Sequence, residues 1–338
     1  MTPDVVLSVR NLSVVFHTPD GDVVAVNDVS FDLRSGETLG IVGESGSGKS
    51  VTASSILRLN NSSTASTTGS IFVSGVDVLS ADESEVRRIR GSEVAMIFQD
   101  PLSALNPYYT VGKQIAEAYL VHHPDASKAD ARIVTLEMLR KVGIPNPEKR
   151  IDEFPHQFSG GMRQRIVIAI ALINNPKVLI ADEPTTALDV TVQAQILDLM
   201  KELQTEFNMA IVLITHDLGV VAEAALDVLV MYGGRIVERS SVDALFSEPA
   251  HPYAWGLLGA VNSLGTSGRG ALVTIAGSPP SLIDLPSGCS FNPRCAYAVD
   301  ICSAEVPKLR AVGTQGSLTA CHLDDETILA LGRKAAKQ

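Results

Sequence analysis

Residues 43–50 read GESGSGKS. An apolar stretch, ETLGIVG (37–43), leads into them, and SVTASSILRL (50–59) follows with apolar residues at helical spacing. Strand, glycine loop and helix in that order fit G-x-x-x-x-G-K-[ST]. Glycines let successive backbone N–H groups turn inward around an anion. The following helix points its positive end at the same place. Lys49 then has the reach for β- and γ-phosphates, and the Ser50 hydroxyl is a hard oxygen ligand suited to Mg²⁺. Gly43, Ser45, Gly46, Gly48 and Val51 complete the expected phosphate-binding set.

A second stretch, VLIADEP (178–184), supplies what a phosphate loop alone lacks. Its apolar residues place Asp182 and Glu183 at the C-terminal end of a buried strand, where α/β sheets bind ligands. Asp182 is expected to hold Mg²⁺, largely through water, and Glu183 to polarise the attacking water. The pair predicts a P-loop nucleoside triphosphatase.

The rest of the chain agrees with an α/β fold. LSVRNLSVVFHTPDGDVVAVNDVSFDL (7–33) is rich in Val and broken at Pro19-Asp20-Gly21, which predicts a β-hairpin with a polar turn. Strands are expected at 69–78 and 92–100, with a polar connection over 60–69. Helix is expected over 112–143, interrupted at His122–Pro124, and again over 160–173 and about 191–207. AIVLITHD (210–217) reads as another strand. Strand and helix alternate, so the expected core is a parallel α/β sheet. Beyond about residue 240 the pattern loosens, and Gly, Ser and Pro become common between 262 and 288. The expected division is residues 1–240 and a smaller unit over 241–338.

The totals fit this. The chain has 338 residues, 45% hydrophobic and 19% charged, with a net charge of -11. That length allows a large core and two domains. The acidic balance argues against a nucleic-acid binder. No apolar run reaches the roughly 20 residues a spanning helix needs, and MTPDVVLSVR carries no secretory signal pattern. The expectation is a cytosolic protein that reaches a membrane only through a partner.

FSGGMRQR (158–165) is more specific. Ser159 is a good N-cap, and Gly160 and Gly161 open a helix whose exposed N–H groups form an anion site. The segment resembles the signature of the ATP-binding-cassette (ABC) ATPases. In that family this site meets the γ-phosphate held by the phosphate loop of a second cassette. Other matches follow in order. Gln99, in MIFQD, resembles the Q-loop residue that senses Mg²⁺ and water. Asp189, in TALD, resembles the D-loop aspartate. His216, in LITHD, resembles the switch histidine at the γ-phosphate. Phe16, in VVFH, is the candidate to stack on adenine. The resemblance covers at least residues 7 to 240. It implies an ABC cassette with a RecA-like parallel-sheet core, an N-terminal antiparallel β subdomain and a helical subdomain at about 100–165.

FQDPLSALNPYYTVGKQI (98–115), FPHQFSGGMRQR (154–165) and EPAHPYAWGLLGAV (248–261) resemble the peptide and nickel importer ATPases, most of all the dipeptide/oligopeptide D-type subunits. Phe158 and Met162 depart from the usual Leu and Gln. The resemblance implies the ATP-hydrolysing motor of a peptide importer at the cytoplasmic face of the cell membrane. Its partners would be a second ATPase subunit, identical or paralogous, two permease subunits and an extracytoplasmic binding protein, with no nucleic acid. Leu102, Leu105, Tyr108 and Tyr109 would face the permease, or form the core of the helical subdomain. The alternatives are an importer of nickel or another small solute, and a soluble ABC ATPase acting on DNA or ribosomes.

All four cysteines lie near the end of the chain, spaced Cys289-x5-Cys295-x6-Cys302-x18-Cys321. The spacing is wider than the usual zinc pairs, and a disulfide is unexpected in a cytosolic chain. Four thiolates on loops suit a [4Fe–4S] cluster, which the resemblance also implies. Zinc and unmetallated thiols remain as alternatives, and His322 adjoins the set. The motive would be a metal staple for a small loop-rich unit.

Overall fold

The computed structural model describes residues 5–100, 104–186, 188–265 and 275–337. In chain order the strands are β1 (Val5–Thr18), β2 (Gly21–Arg34), β3 (Thr38–Val42), β4 (Ala65–Val73), β5 (Val76–Asp77), β6 (Val94–Ile97), β7 (Val178–Asp182), β8 (Ala210–Thr215), β9 (Asp227–Tyr232), β10 (Arg235–Ser241), β11 (Arg310–Val312) and β12 (Ser317–Thr319). The longer helices are α1 (Lys49–Ile56), α2 (Glu83–Ile89), α3 (Val111–His122), α4 (Lys128–Lys141), α5 (Gly160–Leu172), α6 (Val190–Phe207), α7 (Leu218–Ala224), α8 (Val242–Ser247), α9 (Pro252–Gly265) and α10 (Asp325–Ala335). The chain forms two compact units from interleaved segments. The first draws its described residues from 1–8, 32–37 and 72–212, the second from 9–31, 38–71 and 213–338.

In the first unit β6 and β7 pair in parallel, with Val94 opposite Val178 and Ile97 opposite Ala181. Every residue of β7 is buried, as a strand covered on both faces requires. Helices α3 and α4 break at His123–Ala126, and Ser127 starts α4 with a reciprocal capping box to Asp130. Helix α2 lies in a stretch for which the sequence had suggested no element. Asp82 caps it by accepting from the Glu85 N–H at 2.8 Å, and Val86 and Ile89 fasten it to the core.

The second unit carries the strand order β11-β12-β10-β9-β3. Strands β3 and β9 are parallel, Leu39 opposite Asp227, and the rest pair antiparallel. Glu238 of β10 faces Thr319 of β12, so the cysteine-bearing tail supplies edge strands to the sheet that holds the phosphate-loop strand. The expected hairpin is present, and β4 lies beside β1. Strand β4 begins at Ala65, inside the stretch read as a polar connection, where the His17 N–H donates to the Thr64 carbonyl at 2.8 Å. The main core of this unit gathers Val42, Leu218, Val230, Tyr232, Tyr253 and Phe291.

Candidate functional site

In the second unit the phosphate loop leaves β3 and turns into α1. A Cβ on Gly43 would lie 2.3 Å from the Met231 carbonyl oxygen. One on Gly48, at φ 101°, would lie 2.4 Å from that of Ala25. Only glycine fits at either place, so the loop's close approach to its neighbours is set by sequence. The Gly234 N–H donates to the Ser47 carbonyl at 3.1 Å, and the Asn27 N–H to the Gly234 carbonyl at 2.8 Å. Lys49 is buried, and its Nζ donates to the carbonyls of Gly43 (2.7 Å) and Glu44 (3.0 Å). Ser45 and Gly46 are exposed at the tip, and Ser50 and Val51 open the first turn of α1. A lysine held over a loop of close-fitting glycines, with a helix start behind it, fits a triphosphate. Phe16 lies half-buried in β1. His216 is exposed at the end of β8, before Asp217 caps α7 by accepting from the Gly219 N–H at 2.8 Å.

In the first unit Asp182 is buried at the end of β7. Glu183 follows with φ 50°, in the left-handed region, where a carboxylate residue is strained. Two donors converge on one of its oxygens. Gln99 Nε2 lies 2.8 Å from Oε2, and the Thr186 hydroxyl 2.9 Å from it. Thr186 escaped the sequence reading. Its signal is a hydroxyl three residues after a strand-end carboxylate.

The signature segment behaves as a cap. Ser159 Oγ accepts from the Met162 N–H at 3.4 Å and starts α5. Asp189 starts α6 by accepting from the Val192 N–H at 3.0 Å. A Cβ on Gly161 would stand 2.7 Å from Val192 Cγ1, and one on Gly160 would stand 3.8 Å from Leu188 Cδ2. The two helix starts are thus packed together, and Gly161 is glycine because its neighbour is close. Phe158 and Met162, the two departures noted above, share a partner. The Arg150 guanidinium lies 5.4 Å over the Phe158 ring, and its Nη1 lies 3.3 Å from the Met162 sulfur.

Of the residues assigned to a permease face, Leu105 is buried while Tyr108 and Tyr109 are exposed. Leu102 lies outside the described residues. Beside Tyr109, α3 and α4 border a groove of about 700 Å³ that also takes in Gly112, Leu120, Val121, Ala131 and Ile151.

The four cysteines do meet. They line one small cavity with His251, Phe291 and His322. Its volume is about 10 Å³, room for about one water molecule and not for four irons and four sulfides. Burial pushes the Cys289 and Cys321 thiols up, and Cys295 up to about 11. His322 Nε2 is hydrogen-bonded to the Glu305 carbonyl at 2.9 Å. Among the described residues no group of three or more His, Cys, Asp or Glu side chains is arranged to hold a metal ion. The expected [4Fe–4S] cluster is therefore withdrawn, and zinc gains no support. Spacing had reported that the thiols lie close in the chain but not that Cys302 and Cys321 are buried, and Cys289 and Cys295 half-buried, as small apolar side chains.

The comparisons with known proteins follow this geometry. Residues 26–186 match the family model for ABC transporters, and residues 237–302 match that for the C-terminal region of oligopeptide/dipeptide transporters. The chain is 51% identical to the oligopeptide transport ATP-binding protein OppD of Escherichia coli, over 96% of this chain and 95% of that one. The chain belongs to the ABC transporter ATP-binding proteins of the oligopeptide/dipeptide family. It is 52% identical to the dipeptide transport ATP-binding protein DppD of Lactococcus lactis, over 91% of this chain and 88% of that one. Neither relative is named as an iron–sulfur protein. Among solved structures it resembles a dimeric ATP-binding cassette in a post-hydrolysis state with ADP and phosphate, at a TM-score of 0.62 and 26% identity, over 70% of this chain and 98% of that one. Members of this family are ATPases, and the fold is the ABC cassette. No helix among the described residues is long and apolar enough to cross a membrane.

Proposed function

We propose that this chain is the ATP-hydrolysing motor of a multisubunit importer of oligo- or dipeptides, bound at the cytoplasmic face of the membrane. Its partners are a second ATPase subunit, two permease subunits and an extracytoplasmic binding protein. Residues 1–240 serve as the cassette and 241–338 as the importer-type extension. One observation carries the reading. Identity of 51–52% to peptide-transport ATPases runs along more than nine-tenths of the chain and includes the peptide-transporter C-terminal region.

The roles follow from the residues. The loop from Gly43 to Ser47 and Gly48, with Lys49 and the start of α1, binds the phosphates and offsets charge on the transferring group. Phe16 stacks on the base. Ser50, Asp182 and Gln99 are the residues to hold Mg²⁺, which supplies charge neutralisation when bound. Glu183 orients the attacking water, and its strained backbone and its bonds from Gln99 and Thr186 fix the carboxylate's direction. His216 keeps the γ-phosphate and water in line. Ser159, Gly160, Gly161 and Asp189 face the nucleotide of the second cassette, so that closure of the pair pulls on the permeases.

The test is hydrolysis by the assembled transporter, purified through a tag on this chain and placed in liposomes. Binding protein plus a mixed oligopeptide pool should raise the rate. Glu183→Gln should retain ATP binding and lose roughly 10²-fold or more in turnover. Stimulation by nickel instead of peptides, or recovery of ribosomes or DNA without a permease, would refute the peptide-importer reading. Normal turnover in Glu183→Gln would refute the assignment of that residue.

A further inference from the structure

The tail grips the phosphate loop. Arg294 lies between Cys289 and Cys295, and its side chain is only 5% exposed. It forms a forked pair with Glu44, the second residue of the loop. Nη1 lies 2.6 Å from Oε2, and Nη2 lies 3.1 Å from Oε1. Its Nε donates to the Ala276 carbonyl at 2.8 Å, Nη2 to the Ile275 carbonyl at 3.3 Å, and Nη1 to the Tyr232 hydroxyl at 3.3 Å. A guanidinium has five N–H donors, and these contacts engage all of them. The backbone of Glu44 is held as well, since its N–H donates to the Tyr253 hydroxyl at 2.7 Å. Tyr253 is fully buried. Tyr232, Tyr253 and Phe291 close a triangle of rings, with centroids 4.6, 5.1 and 5.5 Å apart, beneath the two gripping groups.

We propose that Arg294, seconded by Tyr253, is a positioning residue of the nucleotide site, acting through Glu44. A glycine-rich loop loses much conformational freedom when its N–H groups converge on phosphate. Anchoring Glu44 at both its backbone and its side chain removes part of that cost before nucleotide arrives. The pair also has an electrostatic role. Glu44 puts a carboxylate on a loop that receives a polyanion, and Arg294 neutralises it at hydrogen-bond distance. Arg294 does not touch the reacting atoms. The inference concerns ATP binding and does not depend on the cargo.

The experiment titrates the full-length chain with a fluorescent ATP analogue and Mg²⁺, well below the melting temperature of each variant. Arg294→Ala should weaken binding about tenfold, the scale of a lost charged hydrogen-bond pair. Arg294→Lys keeps the charge without the fork and should lie between. Glu44→Gln removes the repelling carboxylate and should cost about threefold or less. Adding Glu44→Gln to Arg294→Ala should therefore recover part of the loss. In the assembled transporter the loss should appear as a higher KM for ATP, with kcat within about twofold. A lower melting temperature with affinity unchanged would make Arg294 merely structural and overturn the proposal. So would additive losses in the double variant. If Arg294→Ala does not fold, Arg294→Lys and Glu44→Gln carry the test, and wild-type affinity in both refutes it.

Discussion

Glu238 offers a sharp test of the packing between the tail and the β10 strand. It is fully buried, its Oε2 accepts from the Ala250 N–H at 2.9 Å, and Ser240 Oγ lies 3.5 Å from Oε1. Burial pushes its carboxyl up to about 8 from 4.5, against the pull of these bonds. The nearby buried His251 is pushed the other way, to about 3. A carboxyl raised on folding stabilises the protein fully below its unfolded value, and that stability is lost as pH rises through the folded value. His251 works in the opposite sense and loses stability as pH falls below 6.5. Between pH 6.5 and 8 Glu238 is the larger contributor of the two, because His251 gains only about 0.4 kcal/mol there as the unfolded imidazole loses its proton, and that gain is common to wild type and a Glu238 variant. Linkage across that window gives a loss of about 1.6 kcal/mol at 1.36 kcal/mol per pH decade per proton. For a chain of this size that corresponds to roughly 3 °C in melting temperature. The assay is a melting series for wild type and Glu238→Gln from pH 6.5 to 8. The wild type should lose this increment relative to the variant, so the variant becomes the more stable at pH 8. Parallel curves would refute the claim that the buried carboxyl is held neutral.

Two further outcomes test the nucleotide site. Lys49→Ala should weaken ATP binding by about tenfold or more, because it removes the buried charge at the loop, and unchanged affinity in a nucleotide titration would contradict the phosphate-loop reading. Gly161→Val should lower ATPase turnover of the assembled transporter while leaving nucleotide binding to the single chain intact, since its side chain would drive α5 from Val192 of α6; full turnover would show that the close packing of these helix starts is dispensable.

Much of the cassette was legible because its signals are local. The run VLIAD folds as a strand with every residue buried, and Gly43 and Gly48 of the phosphate loop sit where any side chain would collide. Ser159 was placed as a helix start and acts as an N-cap, and Asp189, matched to the D-loop, caps the helix expected from about 191. What the sequence hid was long-range. Glu44 and Arg294 are 250 positions apart, and nothing in the spacing of either announces the pair. Thr186 needed the turn after β7 to bring its hydroxyl back to Glu183. Strands β11 and β12 are three residues each, too short for a periodic signal.

The cysteines show how a sound premise can fail. A short loop-rich unit needs a staple only if it must fold alone. This tail does not. Strand β12 completes β10, and the Thr319 hydroxyl donates to the Ala250 carbonyl at 2.8 Å. Helix α10 packs so closely that a Cβ on Gly332 would fall 2.2 Å from the Pro249 carbonyl, while Trp255 Nε1 donates to the same carbonyl at 2.7 Å. Tyr253, Trp255 and Phe291 are all buried. Each contributes roughly 1.5–3 kcal/mol by burial, so together they match or exceed the roughly 2–4 kcal/mol of a typical disulfide. The thiols sit at the edge of this aromatic cluster as small apolar groups. The same cluster that makes a staple unnecessary also carries Tyr253 and Arg294 to the phosphate loop. The stability of the tail and the geometry of the ATP site are therefore one packing problem.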